Sequence, residues 1–236
     1  MLRLMFGERP RKWEGQSAET VREMEAFIRH VQNALDRKPD GGAKLRKYWI
    51  WSEGLLRSFD ELEQSRYAAI RFGSQITATS LKEMGEAERL NYDRYVYFDK
   101  NAFIRVFSLL DKLGTLLNDA LALETEKVKA HFSFFTVLRR MRQDGLHREL
   151  GERLGQLKDG HQAALGRLRT RRNMEIHHMN AELQDDLLQS LHSGKGDLYR
   201  FRLEDLSAQM EDLEEGWHMI VRTLAISFRY LRFNVR

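Results

Sequence analysis

Hydrophobic residues recur at helical spacing along most of the chain. The longest run has steps of three or four residues and contains Leu203, Leu206, Met210, Leu213, Trp217, Ile220, Leu224, Phe228 and Leu231. A second run contains Phe103, Val106, Leu110, Leu113, Leu117 and Leu121. Because such steps place apolar side chains on one face of an α-helix, both segments are predicted to be amphipathic helices.

Further helices are predicted from capping and breaking residues. Thr20 and Glu23 have capping-box spacing, which predicts a helix over 20–37 that ends before Pro39 and the Gly41-Gly42 pair. Weaker patterns predict helices over 43–72, 74–90 and 128–143, two shorter helices within 145–166 that break at Asp159-Gly160, and another over about 170–192 closed by Ser193-Gly194.

Signals of β-structure are missing from this pattern. The only prolines are Pro10 and Pro39, and the Asp-Gly pairs are flanked by helical spacing rather than by alternation. The predicted fold class is therefore all-α, an antiparallel helical bundle with short connections. We expect a single domain over 1–236, with an N-terminal extension and helix over 1–39, a bundle core over 43–192 and a long C-terminal helix over 196–236.

Composition narrows the protein class. The 236 residues include no cysteine, 42% are hydrophobic and 31% are charged, which fits neither a disulfide scaffold, a membrane span nor a disordered chain. The first 15 residues lack the apolar core and cleavage site of a signal peptide, so a cytoplasmic protein is expected. With 39 basic and 35 acidic residues, the net charge of +4 is too small to indicate a nucleic-acid partner by itself.

Basic and polar residues are densest between positions 167 and 178. This segment contains Arg167, Arg169, Arg171, Arg172, Asn173, Glu175, His177 and His178. A guanidinium binds phosphate through a planar fork of donors, and an imidazole can accept and donate a proton near neutral pH. Such groups could cleave an RNA phosphodiester without a metal, since one removes the proton of the 2′-hydroxyl, a cation stabilises the phosphoryl oxygens and an acid protonates the leaving 5′-oxygen.

Helical geometry relates these side chains to one another. Asn173 and His177 are four residues apart and share a face, whereas Arg172 points about 140° away from His177. Arg172 must therefore lie at a helix start or reach round with its long side chain. Glu175 is three residues from Arg172 and four from Arg171, so it is spaced to hold either guanidinium.

The residues from Arg172 to His177 have the sequence RNMEIH. This hexapeptide resembles the R-N-x-x-x-H form of the R-x4–6-H signature of the HEPN superfamily. Stretches Glu61–Ser65, Tyr97–Lys100 and Phe107–Gly114 are similar to a bacterial branch of HEPN-like proteins, so that the resemblance covers about residues 45–180. It implies a helical bundle of the HEPN type, usually dimeric, with two motif copies facing each other across a shared cleft.

The resemblance also implies an activity. Many members with an intact motif are metal-independent endoribonucleases, often toxins or antiviral effectors restrained by a partner protein. On this hypothesis His177 is the general acid or base, Arg172 stabilises the transition state, and Asn173 orients the phosphate or the arginine. Arg171 with His178 also satisfies the spacing, but the Arg-Asn step favours Arg172 with His177. The closest toxin subfamily has a tyrosine two residues after the histidine, where this chain has Met179.

Partners and alternatives follow from the same segment. Arg167, Arg169, Arg171 and His178 are predicted either to contact the RNA backbone or to belong to a solvated, salt-bridged helix face. The expected partners are RNA, a second copy of the chain and an antitoxin or regulatory protein, with no membrane, cofactor or metal. The alternative function is a non-catalytic HEPN-like module that binds RNA, nucleotide or protein, and a third is a purely structural helical protein.

Three other features leave two interpretations each. Asp111, Gly114 and Asn118 share one helix face. Either the glycine allows close approach by the segment with Arg172 and His177, or all three residues lie at the edge of the core. The aromatic stretch 92–103 is core or a base-stacking surface. The C-terminal helix is the last bundle member or a dimer interface.

Overall fold

The computed structural model describes residues 2–37, 42–145, 147–184, 186–187 and 203–235. These residues form helices and turns, with an isolated bridge at Ser80 and no longer strand, which confirms the predicted all-α fold. The α-helices are α1 (Leu2–Met5), α2 (Gly15–Arg37), α3 (Ala43–Gly73), α4 (Glu86–Ala120), α5 (Phe134–Asp144), α6 (Arg148–Gly160), α7 (Gln162–His177) and α8 (Leu206–Asn234). Short 3-10 helices lie at Thr125–Lys127 and Ala181–Leu183.

The long helices α3 and α4 pack side by side and form the centre of the bundle. Helix α2 lies against α3 and α8, and α5 joins α4 to α6. Helix α8 contacts α2, α3, α4, α6 and α7, and its apolar stripe is buried from Leu213 to Leu231. Of the two interpretations of the C-terminal helix, the structure therefore agrees with a last member of the bundle.

An aromatic stack ties the start of the chain to the bundle. The ring of Phe59 in α3 lies between Trp13, at 5.2 Å between centroids, and Trp217 of α8, at 4.9 Å. Both contacts are parallel within 14°. Burial of large aromatic rings contributes roughly 1.5–3 kcal/mol for each side chain, so this stack helps to hold the first residues in place.

Residues 2–14 form an N-terminal strap across α3. Both Arg3 and Arg11 bind the carboxylate of Glu63, with Arg3 Nη1 and Arg11 Nη1 at 3.0 and 2.6 Å from Oε2. Glu8 accepts hydrogen bonds from Arg71 and Tyr67. Burial alone would raise the pKa of Glu63, but the hydrogen bonds from the two arginines outweigh it and hold the pKa below its ordinary value.

The start of α2 differs from the prediction. The helix begins at Gly15, five residues before Thr20, so the capping-box interpretation is wrong. Thr20 is fully buried inside the helix, and its hydroxyl lies 2.9 Å from the carbonyl oxygen of Val221 in α8. Glu23 instead forms ion pairs with Arg229 and Arg232. Thr20 therefore joins α2 to α8 and does not cap the start of its own helix.

The segment between α3 and α4 is irregular rather than the predicted helix over 74–90. The carboxylate of Glu88, in the first turn of α4, accepts hydrogen bonds from the amides of Thr77 and Ala78 at 2.5 and 2.8 Å. These bonds satisfy loop amides that a helix would have used internally. Helix α4 then continues without a break through the aromatic stretch to Ala120.

Helix α5 begins at Phe134, six residues later than the predicted start at 128. Ser133 and Thr136 form a capping box there, and Asp111 Oδ1 of α4 accepts the Phe134 amide at 3.0 Å. This amide is one of the four at a helix start that lack an intrahelical partner, so α4 supplies a second cap for α5.

Helix α7 ends at His177, although the sequence predicts a helix over 170–192. The chain leaves the helix at His178, and the amide of Ala181 donates to the Glu175 carboxylate at 2.9 Å. The predicted break at Asp159-Gly160 is confirmed, because α6 ends at Gly160. Outside the described residues lie Pro39 with Gly41, the region 188–192, Ser193-Gly194 and the predicted start of the last helix at 196.

Candidate functional site

Helix α7 carries the candidate segment and is wedged against α4 and α8. Leu165 and Leu168 face the core. A Cβ atom at Gly216 of α8 would lie 2.8 Å from Leu168 Cδ1, so the glycine allows the two helices to approach closely. This packing fixes the rotation of α7 about its axis and decides the direction of each basic side chain.

Arg171 points into the bundle. Its guanidinium pairs with Asp99 of α4 and lies 4.7 Å above the ring of Phe103. Asp99 is 1% exposed, and burial raises its pKa, with the charge of Arg171 offsetting part of this effect. Burial opposes the charge of Arg171 too, but Asp99 outweighs it and raises the pKa of the guanidinium. The carboxylate lies deeper than the guanidinium, so burial affects it more strongly.

Arg167 also has a carboxylate partner. It donates from Nε and Nη2 to Asp212 of α8 at 2.8 and 2.6 Å, a bidentate contact. The hydrogen bond and the charge of Asp212 raise the pKa of Arg167. Two of the three arginines predicted to contact RNA, Arg167 and Arg171, are therefore neutralised by carboxylates of other helices.

The remaining arginines of α7 lie over aromatic rings instead. Arg169 Cζ is 4.7 Å from the ring centroid of Phe135 in α5, and Arg172 Cζ is 5.1 Å from that of Phe107 in α4. Among the described residues, neither guanidinium has a carboxylate within ion-pair distance. Arg172 Nε is buried without a hydrogen-bond partner there. Neither side chain is therefore neutralised by a described carboxylate.

Asn173 and His177 lie on the solvent side of α7, and both are exposed. His178 is exposed as well, and its backbone amide caps the helix by donating to Met174 at 2.9 Å. Arg172 is half-buried against α4, on a different side of the helix. The structure brings Asn173 and His177 together on one face, but within one chain it does not bring Arg172 to that face.

Glu175 does not hold either neighbouring arginine, which corrects the prediction. Its carboxylate lies 3.1 Å from Lys100 Nζ of α4, and Lys100 also pairs with Glu182 at 2.7 Å. With its hydrogen bond from Ala181, Glu175 therefore organises the turn that follows α7. Lys100 of α4 thus takes the place of the arginine partner that the local spacing predicted for Glu175.

The supporting residues of α4 serve α5 and the preceding loop. A Cβ atom at Gly114 would lie 2.9 Å from the backbone Cα of Phe134, so Phe134 makes the close approach predicted for the segment with Arg172 and His177. Asp111 caps the same residue. Asn118 Oδ1 accepts the Thr125 amide at 2.9 Å, and its amide group donates to Glu126 at 2.8 Å.

The aromatic stretch belongs mainly to the core. Tyr92 and Tyr95 are buried, and the Tyr95 hydroxyl donates to Gln209 of α8 at 3.0 Å. Tyr97 is the exception, because its ring is exposed. Among the aromatic residues of this stretch, only Tyr97 has an exposed ring.

Metal-site clusters and membrane-spanning helices are both absent from the described part of the chain. No cluster of three or more histidine, aspartate or glutamate side chains in the described ranges has the arrangement of a metal site. None of the helices in those ranges combines the length and apolarity that a bilayer span requires.

Sequence reasoning missed Asp99, Arg139 and Arg142. Asp99 is one of two acidic residues in the aromatic stretch, the other being Asp93, and its position between buried aromatic residues was the available signal. Arg139 and Arg142 are exposed on α5 and have no ion pair with any described residue. No local signal distinguishes them from other surface arginines, because only packing shows that their surface meets α7.

A comparison with protein families adds one match. The model of the HEPN_Cthe2314-like HEPN family matches residues 51–232, more than three quarters of the chain. Searches of curated proteins and of solved structures found no significant match.

Proposed function

The chain belongs to the HEPN_Cthe2314-like HEPN family, and on this basis we propose that it is a metal-independent endoribonuclease of the HEPN type. The observation that carries the proposal is the exposed pair of Asn173 and His177 at the end of α7. An imidazole at a helix end, open to solvent and with no described partner, is accessible to a phosphodiester. We also propose a role as a toxin or antiviral effector restrained by a partner protein.

The chemistry needs three groups around one phosphate. A base accepts the proton of the ribose 2′-hydroxyl, the 2′-oxygen attacks phosphorus, and the bond to the 5′-oxygen breaks as an acid protonates it. The products carry a 2′,3′-cyclic phosphate and a 5′-hydroxyl. His177 would serve as the base or the acid, Arg172 would stabilise the charge on the phosphoryl oxygens, and Asn173 would orient the phosphate or Arg172.

We further propose that the working site is composite and lies between two copies of the chain. Arg172 and His177 of one chain point to different sides of α7, so a second copy would supply the missing group. The exposed positions Ala163, Gly166 and Thr170 precede Asn173 on the same side of α7 and leave room for another helix.

A second candidate is the non-catalytic module that binds RNA, nucleotide or protein. It is favoured by one observation, namely that Arg171 is neutralised by Asp99 and Arg172 is half-buried over Phe107. In this function the motif would be an anion site without a turnover step.

RNA cleavage in the presence of EDTA tests the first proposal. We expect 5′-hydroxyl ends, no effect of EDTA and no cleavage of DNA. His177→Ala should lower the rate about 10²- to 10⁴-fold, because proton transfer by a positioned side chain is worth that much. The matched control is His178→Ala, the adjacent exposed histidine, which should keep most of the rate. If His177→Ala cleaves RNA as fast as the parent, the assignment is wrong.

Mixing two inactive variants tests the composite site. Heterodimers of Arg172→Ala and His177→Ala chains contain one site with both groups intact, so activity should reappear on mixing. Each variant alone should stay inactive. Binding of RNA without any new 5′-hydroxyl end, in the parent and in the mixture, would instead support the non-catalytic module.

A further inference from the structure

Helices α5 and α7 meet where Arg169 lies over Phe135, and both carry arginines without an ion pair to a described residue. In the described part of the chain, Arg139 and Arg142 of α5 and Arg169 and Arg172 of α7 have no ion pair. Arg139, Arg142 and Arg169 are exposed. Together with Phe135 these four arginines are called the α5–α7 surface below.

Contacts show that this surface is continuous. Arg169 lies over the ring of Phe135, at 4.7 Å from its centroid. Phe135, Arg139 and Arg142 follow at steps of four and three residues and therefore share one face of α5. Arg172 lies one helical turn beyond Arg169. The surface thus runs from α5 to the edge of α4.

The far end of the surface rests on glycines of α6. A Cβ atom at Gly155 would lie 3.0 Å from Arg142 Cζ, and one at Gly151 would lie 3.3 Å from Arg142 Cγ. The side chain of Arg142 therefore lies along the backbone of α6. Arg142 is nevertheless an exposed residue.

Nearby carboxylates do not cancel this charge. Asp111 is engaged with the amide of Phe134, at 3.0 Å. Asp159 is close enough to Arg142 for the guanidinium to lower its pKa slightly, but its direct partner is Lys158, at 2.8 Å. Four permanently charged guanidiniums therefore share the surface without an ion pair to any described carboxylate, so the surface is suited to an anionic ligand.

We propose that the α5–α7 surface binds the backbone of single-stranded RNA and carries it toward the site of Asn173 and His177; this inference rests on the proposed function. Guanidiniums bind phosphates, and the half-buried ring of Phe135 with the plane of Arg169 offers a stacking platform for bases. Helix α5 has 11 residues and spans about 16 Å, which suits a few nucleotides. A duplex reader contacts about 16 base pairs, a much longer footprint.

Binding can be measured separately from cleavage. The probe is a fluorescent 12-nucleotide oligouridylate with 2′-O-methyl groups, which lacks the attacking hydroxyl, and the protein is the full chain. Anisotropy is recorded between 50 and 300 mM salt. For single strands the slope of log K against log salt changes by about 0.7 for each phosphate contact. Arg139→Gln and Arg169→Gln should each reduce the slope by about 0.7 and weaken binding about five- to tenfold at 0.1 M salt.

The matched control is Arg222→Gln. Arg222 is an exposed arginine of α8 without an ion pair to any described residue, and it lies outside the α5–α7 surface. This variant should bind the probe within twofold of the parent. Phe135→Leu should weaken binding without changing the salt slope, because it removes stacking and no charge. Circular dichroism melts should show that all the variants remain folded.

Three outcomes would overturn the inference. Arg139→Gln and Arg169→Gln could bind like the Arg222→Gln control, a duplex RNA of equal length could bind as tightly as the single strand, or a polyglutamate peptide could compete as well as the RNA. Failure of the proposed function looks different. If the parent binds the probe with the expected variant effects but leaves unmodified RNA intact, the surface is confirmed and the nuclease proposal fails.

Discussion

On the face of α3 under the N-terminal strap, Arg3 and Arg11 share the nearly buried carboxylate of Glu63. On the α5–α7 surface, Arg139 and Arg169 have no carboxylate partner among the described residues. Both regions are basic in sequence, yet the first joins parts of the fold and the second faces solvent. Arginine content alone therefore does not distinguish these two regions, whereas the presence or absence of a carboxylate partner among the described residues does.

Helix α7 shows the same contrast within two turns. Arg167 and Arg171 pair with carboxylates of α8 and α4, whereas Arg169 and Arg172 have no carboxylate partner in the described part of the chain. The difference predicts that substitutions in the first group change stability, and that substitutions in the second group change ligand binding. Three sets of stability measurements test this difference.

The largest effect is expected for Asp99→Ala. It leaves Arg171 charged and without its partner in a largely buried position, which typically costs about 3–5 kcal/mol of unfolding free energy. Urea denaturation measures the change. The control is Asp93→Ala, where an exposed i,i+4 pair with Arg89 contributes under about 0.5 kcal/mol. A loss below about 1 kcal/mol for Asp99→Ala would show that the pair does not join α4 to α7.

An intermediate effect is expected for Glu63→Gln. Hydrogen bonds to a charged group contribute about 1.5–3 kcal/mol, so the variant should be less stable by that order at pH 7. The pKa of Glu63 is lower in the folded chain than its ordinary value of 4.5, so the unfolded chain binds more protons in acid. The contribution of Glu63 is therefore present above pH 4.5 and is lost as pH falls through the lower, folded pKa.

Melting curves between pH 7 and pH 3 check this sign. The parent should lose stability on acidification more steeply than Glu63→Gln. The matched control is Glu61→Gln, because the ion pair of Glu61 with Arg105 is much more exposed. The stability of this variant should fall with pH as steeply as that of the parent. If the parent and Glu63→Gln lost stability to the same extent between pH 7 and pH 3, the role assigned to Glu63 would be contradicted.

The smallest effect is expected for Arg139→Gln. Because this side chain is exposed and has no ion pair with the described residues, its removal should change the unfolding free energy by less than about 0.5 kcal/mol. Urea denaturation beside Arg3→Gln, which removes a bidentate contact to Glu63, gives the comparison. Equal losses for the two variants would mean that Arg139 belongs to the fold and not to a ligand surface.

Local patterns predicted much of the helical framework. The predicted helix over 43–72 matches Ala43–Gly73, and the stripe from Leu203 to Leu231 is the buried face of α8 except at its first turns. The starts of α2 and α4 could not be predicted, because Thr20 bonds to α8 and Glu88 bonds to loop amides. A threonine or glutamate can cap its own helix or bond to another part of the chain, and the sequence is the same in both cases. Only the neighbouring element shows which of the two it does.

The candidate segment was found in the sequence, but the use of its side chains was not. The spacing from Arg172 to His177 and the shared face of Asn173 and His177 follow from the helix itself. Glu175 was expected to hold an arginine three or four residues away, and it binds Lys100 instead. Local spacing could not reveal this contact, because Lys100 is on another helix.

The helical class, the resemblance to the HEPN superfamily and the order of side chains along α7 could be predicted from the sequence, because they depend on residue identity and local spacing. Which arginines are neutralised depends on the packing of the helices. The carboxylates of Asp99 and Asp212 lie 72 and 45 residues from Arg171 and Arg167, and packing of α7 against α4 and α8 brings each pair together. Charge pairing acts over a few ångströms in space, so residue order alone could not determine it.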